Sequence, residues 1–279
     1  MASTNNQTSS PKLRVMLWTP PRSLSSVFTQ CVSSRDNVEV FFEVYTCAAH
    51  GGPEKKFKTP GGMPNVVREP LYTYDYVKNQ LEADYPGRDM VFAKDMADAI
   101  DGRYEKIPKG FVHTFLIRHP GRVFPSLVRL AHSAPPFMGK VSFKELNPGA
   151  GEGFKELWDL FEYVTNTLKQ PAIVVDTDDL VQNPGPIMKQ YCKKIGFPYG
   201  DDLLQWEPDL VTKNKWHIAN SHMMGNQMMG TYKRAFGSTC FEGGQRKEVN
   251  YEDESDEVKE SIAFCMPFYE KMLAHKIKV

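Results

Sequence analysis

The sequence predicts an α/β protein of three layers, in which helices cover both faces of a central parallel sheet. Short apolar runs alternate with helical patterns along the chain, which is typical of β-α-β units. Several runs are apolar throughout, as expected for strands buried on both faces. The predicted strands are residues 13–18, 38–44, 90–95, 111–118 and 172–176, and the predicted helices are residues 25–34, 71–86, 122–133, 154–168, 185–196 and 256–273.

Composition narrows the functional class. Lys+Arg and Asp+Glu are equal at 34 each, so no global basic field favours nucleic acid or an anionic membrane. The five cysteines are scattered without a CxxC pair, which indicates free thiols in a reducing compartment. No apolar run approaches the length of a membrane span. We therefore expect a cytoplasmic protein with a disordered tail over residues 1–11 and a single domain over residues 12–279.

The joint between the first strand and the first helix has the composition of an anion site. The stretch TPPRSLSS supplies Arg22 and the hydroxyls of Ser23, Ser25 and Ser26. A helix N-terminus adds unpaired N–H groups and a partial positive charge. This set suits a phosphate or sulfate group. The alternative is ordinary capping by Ser23, with Arg22 in solvent.

A second stretch, FLIRHPGRVFPSL, has a related composition. Arg118 ends an apolar strand, and Ser126 follows eight residues later on the next helix. Both side chains can converge on one anion at the carboxyl edge of the sheet, where open α/β sheets bind ligands. A Walker A sequence is absent, and Leu24 stands where a phosphate-wrapping loop often has glycine.

Together, TPPRSLSS and RHPGRVFPS resemble the two nucleotide-binding motifs of the sulfotransferase family. FAKDM and the segment at residues 178–198 also resemble family segments, in order. The resemblance implies a P-loop-like fold and 3′-phosphoadenosine-5′-phosphosulfate (PAPS) as donor, with the nucleotide product PAP. Arg22, Ser23, Leu24, Ser25 and Ser26 would hold the 5′-phosphosulfate. Arg118 and Ser126 would hold the 3′-phosphate.

The sequence departs from the family pattern around the adenine. Val27 and Thr177 stand where many members have aromatic residues, so the adenine pocket does not transfer residue by residue. Phe28 is an alternative stacking residue, although a helix aromatic is more often core. The sequence motif of the family's C-terminal cofactor-binding loop does not occur. The stretch YKRAFGST is only loosely similar to it, and the resemblance gives Lys233 and Arg234 as candidate cofactor-binding residues.

Sulfuryl transfer needs a cation near the departing phosphate and a base near the acceptor hydroxyl, and no metal. The resemblance gives Arg22 as the cation. Met96 occupies the position of the histidine base of many members. Glu43, at the end of the second predicted strand, is the first candidate base, with a pKa raised by desolvation. His50 is the second candidate, and Lys94 and Asp95 come third.

The acceptor predicted is a small molecule with a hydroxyl group. Five aromatic residues fit either an acceptor pocket or the hydrophobic core: Phe42, Tyr45, Tyr72, Tyr74 and Phe137. Residues 221–230 read as a surface loop or a mobile flap, in which His222 could cover the site. A homodimer is left open, since no dimerisation motif is evident. Metal-ligand spacings such as HExxH and CxxC do not occur.

Two other functions remain open from the sequence. One is a small-molecule kinase of P-loop type, against which the missing Walker lysine argues. The other is a catalytically silent member that binds nucleotide without turnover, which Leu24 and the absent family histidine keep open.

Overall fold

The computed structural model describes residues 11–57, 68–133, 143, 151–242 and 248–279. Within these residues, six strands form one sheet in the order β5-β4-β1-β3-β2-β6, and every strand pair is parallel. The strands are β1 (Leu13–Thr19), β2 (Val38–Phe42), β3 (Met90–Met96), β4 (Val112–Ile117), β5 (Val174–Asp176) and β6 (His217–Ile218).

Helices follow the strands along the described chain. The α-helices are α1 (Ser25–Ser33), α2 (Val44–Gly51), α3 (Tyr74–Glu82), α4 (Pro120–His132), α5 (Glu152–Glu162), α6 (Thr177–Gln182), α7 (Pro184–Ile195), α8 (Leu210–Lys213), α9 (Asn220–Met229), α10 (Lys233–Phe236) and α11 (Asp256–Leu273). A π-helical turn, Tyr163–Thr167, extends α5, and short 3-10 turns occur at Ala97–Ala99, Tyr104–Lys106 and Asp201–Leu204.

The sheet divides the core into two layers, which confirms the predicted three-layer architecture. Side chains alternate along β1, so Met16 and Trp18 join one apolar cluster while Val15 and Leu17 join the other. The first cluster lies under α2, α3, α4, α5 and α11, and the second lies under α1 and α7. All four of these β1 side chains are fully buried, as a strand covered on both faces requires.

The predicted strand over residues 38–44 ends early. Strand β2 stops at Phe42, and Glu43 adopts a left-handed conformation with φ 55° before α2 begins at Val44. The turn from β2 into α2 is therefore immediate. His50, which we predicted in a loop, lies in the last turn of α2. Glu43 consequently stands at the carboxyl edge of the sheet and not within a strand.

The prediction of a loop over residues 221–230 also differs from the structure. It forms α9, Asn220–Met229, although its glycine and weak periodicity gave no clear helical signal. The two-residue strand β6 was too short to leave a pattern. Of the other expectations, the tail over residues 1–10 and Phe137 lie outside the described residues, and the extent of the domain stays a prediction.

Candidate active site

The turn between β1 and α1 is compact and strained. Arg22 has φ 58° and Leu24 has φ 62°, a region that costs non-glycine residues roughly 1–2 kcal/mol each. Leu24 thus adopts the conformation that a glycine would adopt freely at this position. No side chain caps the N-terminus of α1. The first-turn N–H groups are therefore available to an anion.

The serines of this turn face different ways. Ser23 is fully buried, and its hydroxyl donates to the Pro20 carbonyl at 2.9 Å and pairs with the Thr19 hydroxyl. Any contact from Ser23 to a bound anion would then come from its backbone N–H. Ser25 is also buried, whereas Ser26 is partly exposed.

Thr177 anchors the turn from behind. Its hydroxyl lies 2.9 Å from the Ser23 carbonyl and 2.7 Å from the Ile117 carbonyl, and the residue is 1% exposed. This single side chain ties the β1–α1 turn to the end of β4. Thr177 thus positions the turn, a role that its place in the sequence did not reveal.

Replacing Thr177 with valine should destabilise the fold by about 1–3 kcal/mol, because the new side chain leaves two buried carbonyls without this donor. Chemical denaturation monitored by tryptophan fluorescence measures the change. Thr212→Val is the matched control, since within the described chain the exposed Thr212 hydroxyl bonds to the Asp209 side chain alone. Equal stability of the two variants would contradict the anchoring role.

The two sequence motifs meet at this turn. Arg118 Nη1 donates to the Arg22 carbonyl at 2.6 Å, and Arg22 Nε donates to Ser126 Oγ at 3.2 Å. Positions 96 and 104 residues apart in sequence thereby form one cluster. Arg118 and Ser126 thus each contact Arg22, while their convergence on one anion stays a prediction.

The cationic cluster is strongly desolvated. The pKa of Arg118 is lowered to about 10, mainly by burial and to a smaller extent by the cations Arg122, Arg22 and Arg129, against the attraction of Asp178. Burial also lowers the pKa of Arg22. Within the described residues, the buried Arg118 Nε has no hydrogen-bond partner. A bound anion would supply that partner and offset the repulsion between the arginines.

A second polar cluster lies at the carboxyl ends of β2 and β3. Glu43 Oε1 pairs with Lys94 Nζ, and both side chains are almost fully buried. Glu43 Oε2 accepts a hydrogen bond from the Tyr232 hydroxyl at 2.5 Å and lies 3.4 Å from His222 Nε2. Each carboxylate oxygen of Glu43 is therefore already engaged.

The pKa of Glu43 moves in the opposite direction to the expected one. Burial would raise it, but Lys94 and His222 together outweigh burial through charge attraction and hydrogen bonding, so the pKa lies well below its usual value. Sequence reasoning foresaw the desolvation. It did not foresee the ammonium group from β3 in direct contact.

Tyr232 and Thr231 connect the two clusters. The Thr231 carbonyl accepts from Arg22 Nη1 at 3.1 Å, and the next residue donates its hydroxyl to Glu43. Burial raises the pKa of Tyr232 well above its usual value, so the phenol stays neutral and acts as a donor. The predicted transfer cation and the predicted base are thus adjacent to one short segment.

Asp95 has a structural role beside this site. Its carboxylate accepts from the Tyr45 N–H at 2.6 Å, the Thr46 N–H at 3.0 Å and the Thr46 hydroxyl at 2.6 Å. It thus satisfies the first-turn donors of α2. Burial raises its pKa to about 6, while these hydrogen bonds oppose the shift.

Three of the predicted site residues do not take part in the contacts of the two clusters. His50 stacks on Phe57, with ring centroids 4.4 Å apart. Lys233 and Arg234 are exposed, and Arg234 pairs with Glu242. No hydrogen bond or ion pair links these three residues to Arg22 or Glu43 within the described chain.

Most of the candidate aromatic residues pack in the core. Phe28 is fully buried against Phe92 and Tyr191, so it is not free to stack on a ligand. Fully buried as well are Phe42, Tyr45 and Tyr74, whereas Tyr72 is partly exposed.

An open pocket lies beside the β1–α1 turn, with Pro21 at its rim. Its lining residues are Pro21, Lys56, Phe57, Asp98, Phe124, Gly151, Glu152, Gly153, Phe154 and Glu156. Lys56 Nζ lies 2.5 Å from Glu156 Oε1. Burial raises the pKa of Glu156 to about 7 against the attraction of this lysine. The pocket lining combines aromatic and polar groups.

In the part of the chain that the structure describes, no group of three or more His, Cys, Asp or Glu residues is arranged to hold a metal ion. Among the same residues, no helix combines the length and apolarity needed to cross a bilayer.

Comparison with solved structures finds several similar chains. The sulfotransferase domain of the Synechococcus PCC 7002 olefin synthase shares 13% identity, covering 92% of this chain and 95% of that chain at a TM-score of 0.46. A mouse sulfotransferase solved with PAP shares 12%, covering 95% and 85% at 0.45. The chain is similar to sulfotransferases. Retinol dehydratase, solved with retinol and PAP, shares 12% identity, covering 98% and 84% at 0.44.

Sequence comparison is less informative. No protein-family model matches the chain. The Arabidopsis thaliana branched-chain-amino-acid aminotransferase-like protein 2 is 24% identical over 200 residues, which is 68% of this chain and 31% of that protein. The chain thus spans about a third of the length of this curated relative. At these levels of similarity, the case for an activity has to come from the chain's own side chains.

Proposed function

We propose that the protein is a PAPS-dependent sulfotransferase acting on a hydroxyl of a small molecule. The observation that carries the proposal is the convergence of Arg22, Arg118 and Ser126 at the uncapped N-terminus of α1. Two partly buried cations, one with a buried Nε that has no hydrogen-bond partner among the described residues, form a site for a strongly anionic group. The order of the motifs and the names of the similar structures support a nucleotide with phosphate and sulfuryl groups.

The site residues divide the work between donor and acceptor. Ser126 and Arg118 hold the 3′-phosphate, and the α1 N–H groups hold the 5′-phosphate. Arg22 stabilises the charge that develops on the oxygen between sulfur and the leaving phosphate. The donor supplies an activated sulfuryl group, and the chain's residues position it for in-line attack. Lys94 and Glu43 stand at the acceptor side.

Further features belong to the same proposal. The acceptor enters beside the β1–α1 turn, where the pocket rimmed by Pro21 offers aromatic and polar contacts. Lys233 and Arg234 approach the nucleotide from the outside. The chemistry uses no metal, and the protein acts in the cytoplasm, without nucleic acid or membrane partners. The proposal does not fix the oligomeric state, and a homodimer is one form it allows.

The direct test is thermal unfolding of the wild-type protein with PAP. Ligand at about 100 times its dissociation constant should add roughly 2.7 kcal/mol of stability. Ser126→Ala should reduce this shift. Ser133→Ala is the matched control, because the exposed Ser133 hydroxyl, among the described residues, bonds to the Leu130 carbonyl of the preceding helix and to no other group.

The same experiment separates the alternative functions. A shift with adenosine triphosphate and Mg²⁺ but none with PAP would overturn the proposal in favour of a kinase. A shift with PAP, but no transfer from PAPS to any member of a hydroxyl library, would favour a silent nucleotide-binding protein.

A further inference from the structure

The Glu43 carboxylate is poorly placed to take a proton. Lys94 engages one oxygen, and Tyr232 and His222 engage the other. These contacts stabilise the ionised form, and they hold its pKa well below the ordinary value. A general base works best when its pKa is near the working pH. Glu43 is therefore better suited to orient another group than to accept the acceptor's proton.

His222 is the group that Glu43 orients. Its Nε2 lies 3.4 Å from Glu43 Oε2, and its side chain is 12% exposed. The carboxylate favours the tautomer with the proton on Nε2, which leaves a lone pair on Nδ1. Within the described residues, this Nδ1 is buried and has no hydrogen-bond partner. A carboxylate on one ring nitrogen and a free lone pair on the other is the arrangement of an oriented histidine base.

The other candidate bases are less suitable. The Asp95 carboxylate is occupied by the first turn of α2. The Lys94 ammonium is paired with Glu43. The His50 ring stacks on Phe57, and within the described residues no carboxylate forms a hydrogen bond or ion pair with it.

We propose that His222 is the general base of the transfer reaction and that Glu43 is its positioning residue. The inference rests on the proposed function. His222 Nδ1 takes the proton of the acceptor hydroxyl as that oxygen bonds to sulfur. The bond from sulfur to the 5′-phosphate oxygen breaks, and its electron pair leaves on the phosphate. The imidazolium is stabilised by Glu43 until it returns the proton to water.

The location of His222 on α9 fits this role. None of the ten residues of α9 is fully buried, so the helix packs over the site without belonging to the core. A helix held this loosely can shift to bring the imidazole to a bound acceptor. For the same reason, replacing His222 should leave the fold intact.

The test is the reverse reaction, because it needs no knowledge of the natural acceptor. PAP and an aryl sulfate give PAPS and a phenol, and protonated His222 then donates its proton to the leaving oxygen. Phenyl sulfate releases a basic phenolate that needs this proton, whereas 4-nitrophenyl sulfate releases a far less basic one. His222→Gln should slow the phenyl sulfate reaction roughly 10²–10⁴-fold. It should change the 4-nitrophenyl sulfate reaction far less.

His132→Gln is the matched control, since His132 is an exposed histidine at the end of α4. It should leave both rates unchanged. A purely structural role for His222 would slow both sulfates equally, and that result would overturn the inference. Equal activity of His222→Gln and wild type on phenyl sulfate would overturn it as well.

Nuclear magnetic resonance of the full chain with ¹⁵N-labelled histidine provides a readout that does not depend on turnover. One ring signal, absent from His222→Gln, should report a neutral imidazole with its proton on Nε2, and Glu43→Gln should remove that preference. A proton on Nδ1 would overturn the inference even if neither aryl sulfate reacts. Failure of the proposed function is distinct, because wild type would then show neither PAP binding nor transfer.

Discussion

Replacing Lys94 with methionine is expected to destabilise the protein by about 3–5 kcal/mol, because it leaves the buried Glu43 carboxylate without its counter-ion. Side-chain exposure is 2% for Lys94 and 4% for Glu43, so water cannot replace the lost partner. Tyr232 and His222 would still contact the carboxylate, but the charge attraction of Lys94, the largest one that opposes burial, would be lost. Urea unfolding monitored by far-ultraviolet circular dichroism measures the loss.

The matched control for this prediction is Lys155→Met. Lys155 pairs with Asp159 four residues along an exposed face of α5, and such pairs contribute only about 0.3–0.5 kcal/mol. The double variant Glu43→Met with Lys94→Met should be more stable than Lys94→Met alone, since it buries no unpaired charge. A Lys94→Met protein as stable as Lys155→Met would contradict the buried pair.

The same pair makes a pH-dependent contribution to stability. The folded-state pKa of Glu43 lies below the reference value of 4.5, so its contribution is fully present above that pH. As the pH falls, the unfolded chain binds the proton first, and the contribution is progressively lost. The difference in unfolding free energy between wild type and Glu43→Gln should therefore shrink from about pH 5 downward. A difference that grows on acidification would contradict the lowered pKa.

The second large effect concerns nucleotide affinity. Arg118→Ala should weaken PAP binding by about 2–5 kcal/mol, the cost of removing one partner of a buried, hydrogen-bonded charge pair. That loss is roughly 30-fold to several thousand-fold in dissociation constant. Arg118→Lys should recover only part of it, because an ammonium lacks the planar set of donors. Isothermal titration calorimetry with PAP measures both variants.

The unliganded Arg118→Ala protein should unfold within about 3 kcal/mol of wild type. The variant loses a hydrogen bond from a charged donor to the Arg22 carbonyl, which contributes about that much at most. It also removes a desolvated cation close to Arg22. Arg35→Ala, which breaks a partly exposed pair with Asp202, is the control for loss of an arginine. Undiminished PAP affinity in Arg118→Ala would refute the assigned position of the phosphate.

The sequence indicated the fold and one half of the site because those signals are local. Apolar runs alternating with helical patterns specify a parallel sheet, and the carboxyl ends of its strands share one edge. Arg118 and Glu43 lie at the ends of predicted strands, and Arg22 lies in the short turn after another, so their place at that edge could be inferred. The spacing from Arg118 to Ser126 likewise put both residues on one side of a strand–helix joint.

Only the tertiary structure determined the pKa of Glu43 and the side chains that contact it. Whether a carboxylate at a strand end has a raised or a lowered pKa depends on what lies within a few ångströms. For Glu43 this is Lys94 from the next strand and two groups nearly 180 and 190 residues away, His222 and Tyr232. Segments that distant in sequence are brought together by packing of the whole chain, and no local periodicity records the contact. The sequence by itself therefore determined the architecture and the edge at which chemistry is expected, while packing decided which group is free to accept a proton.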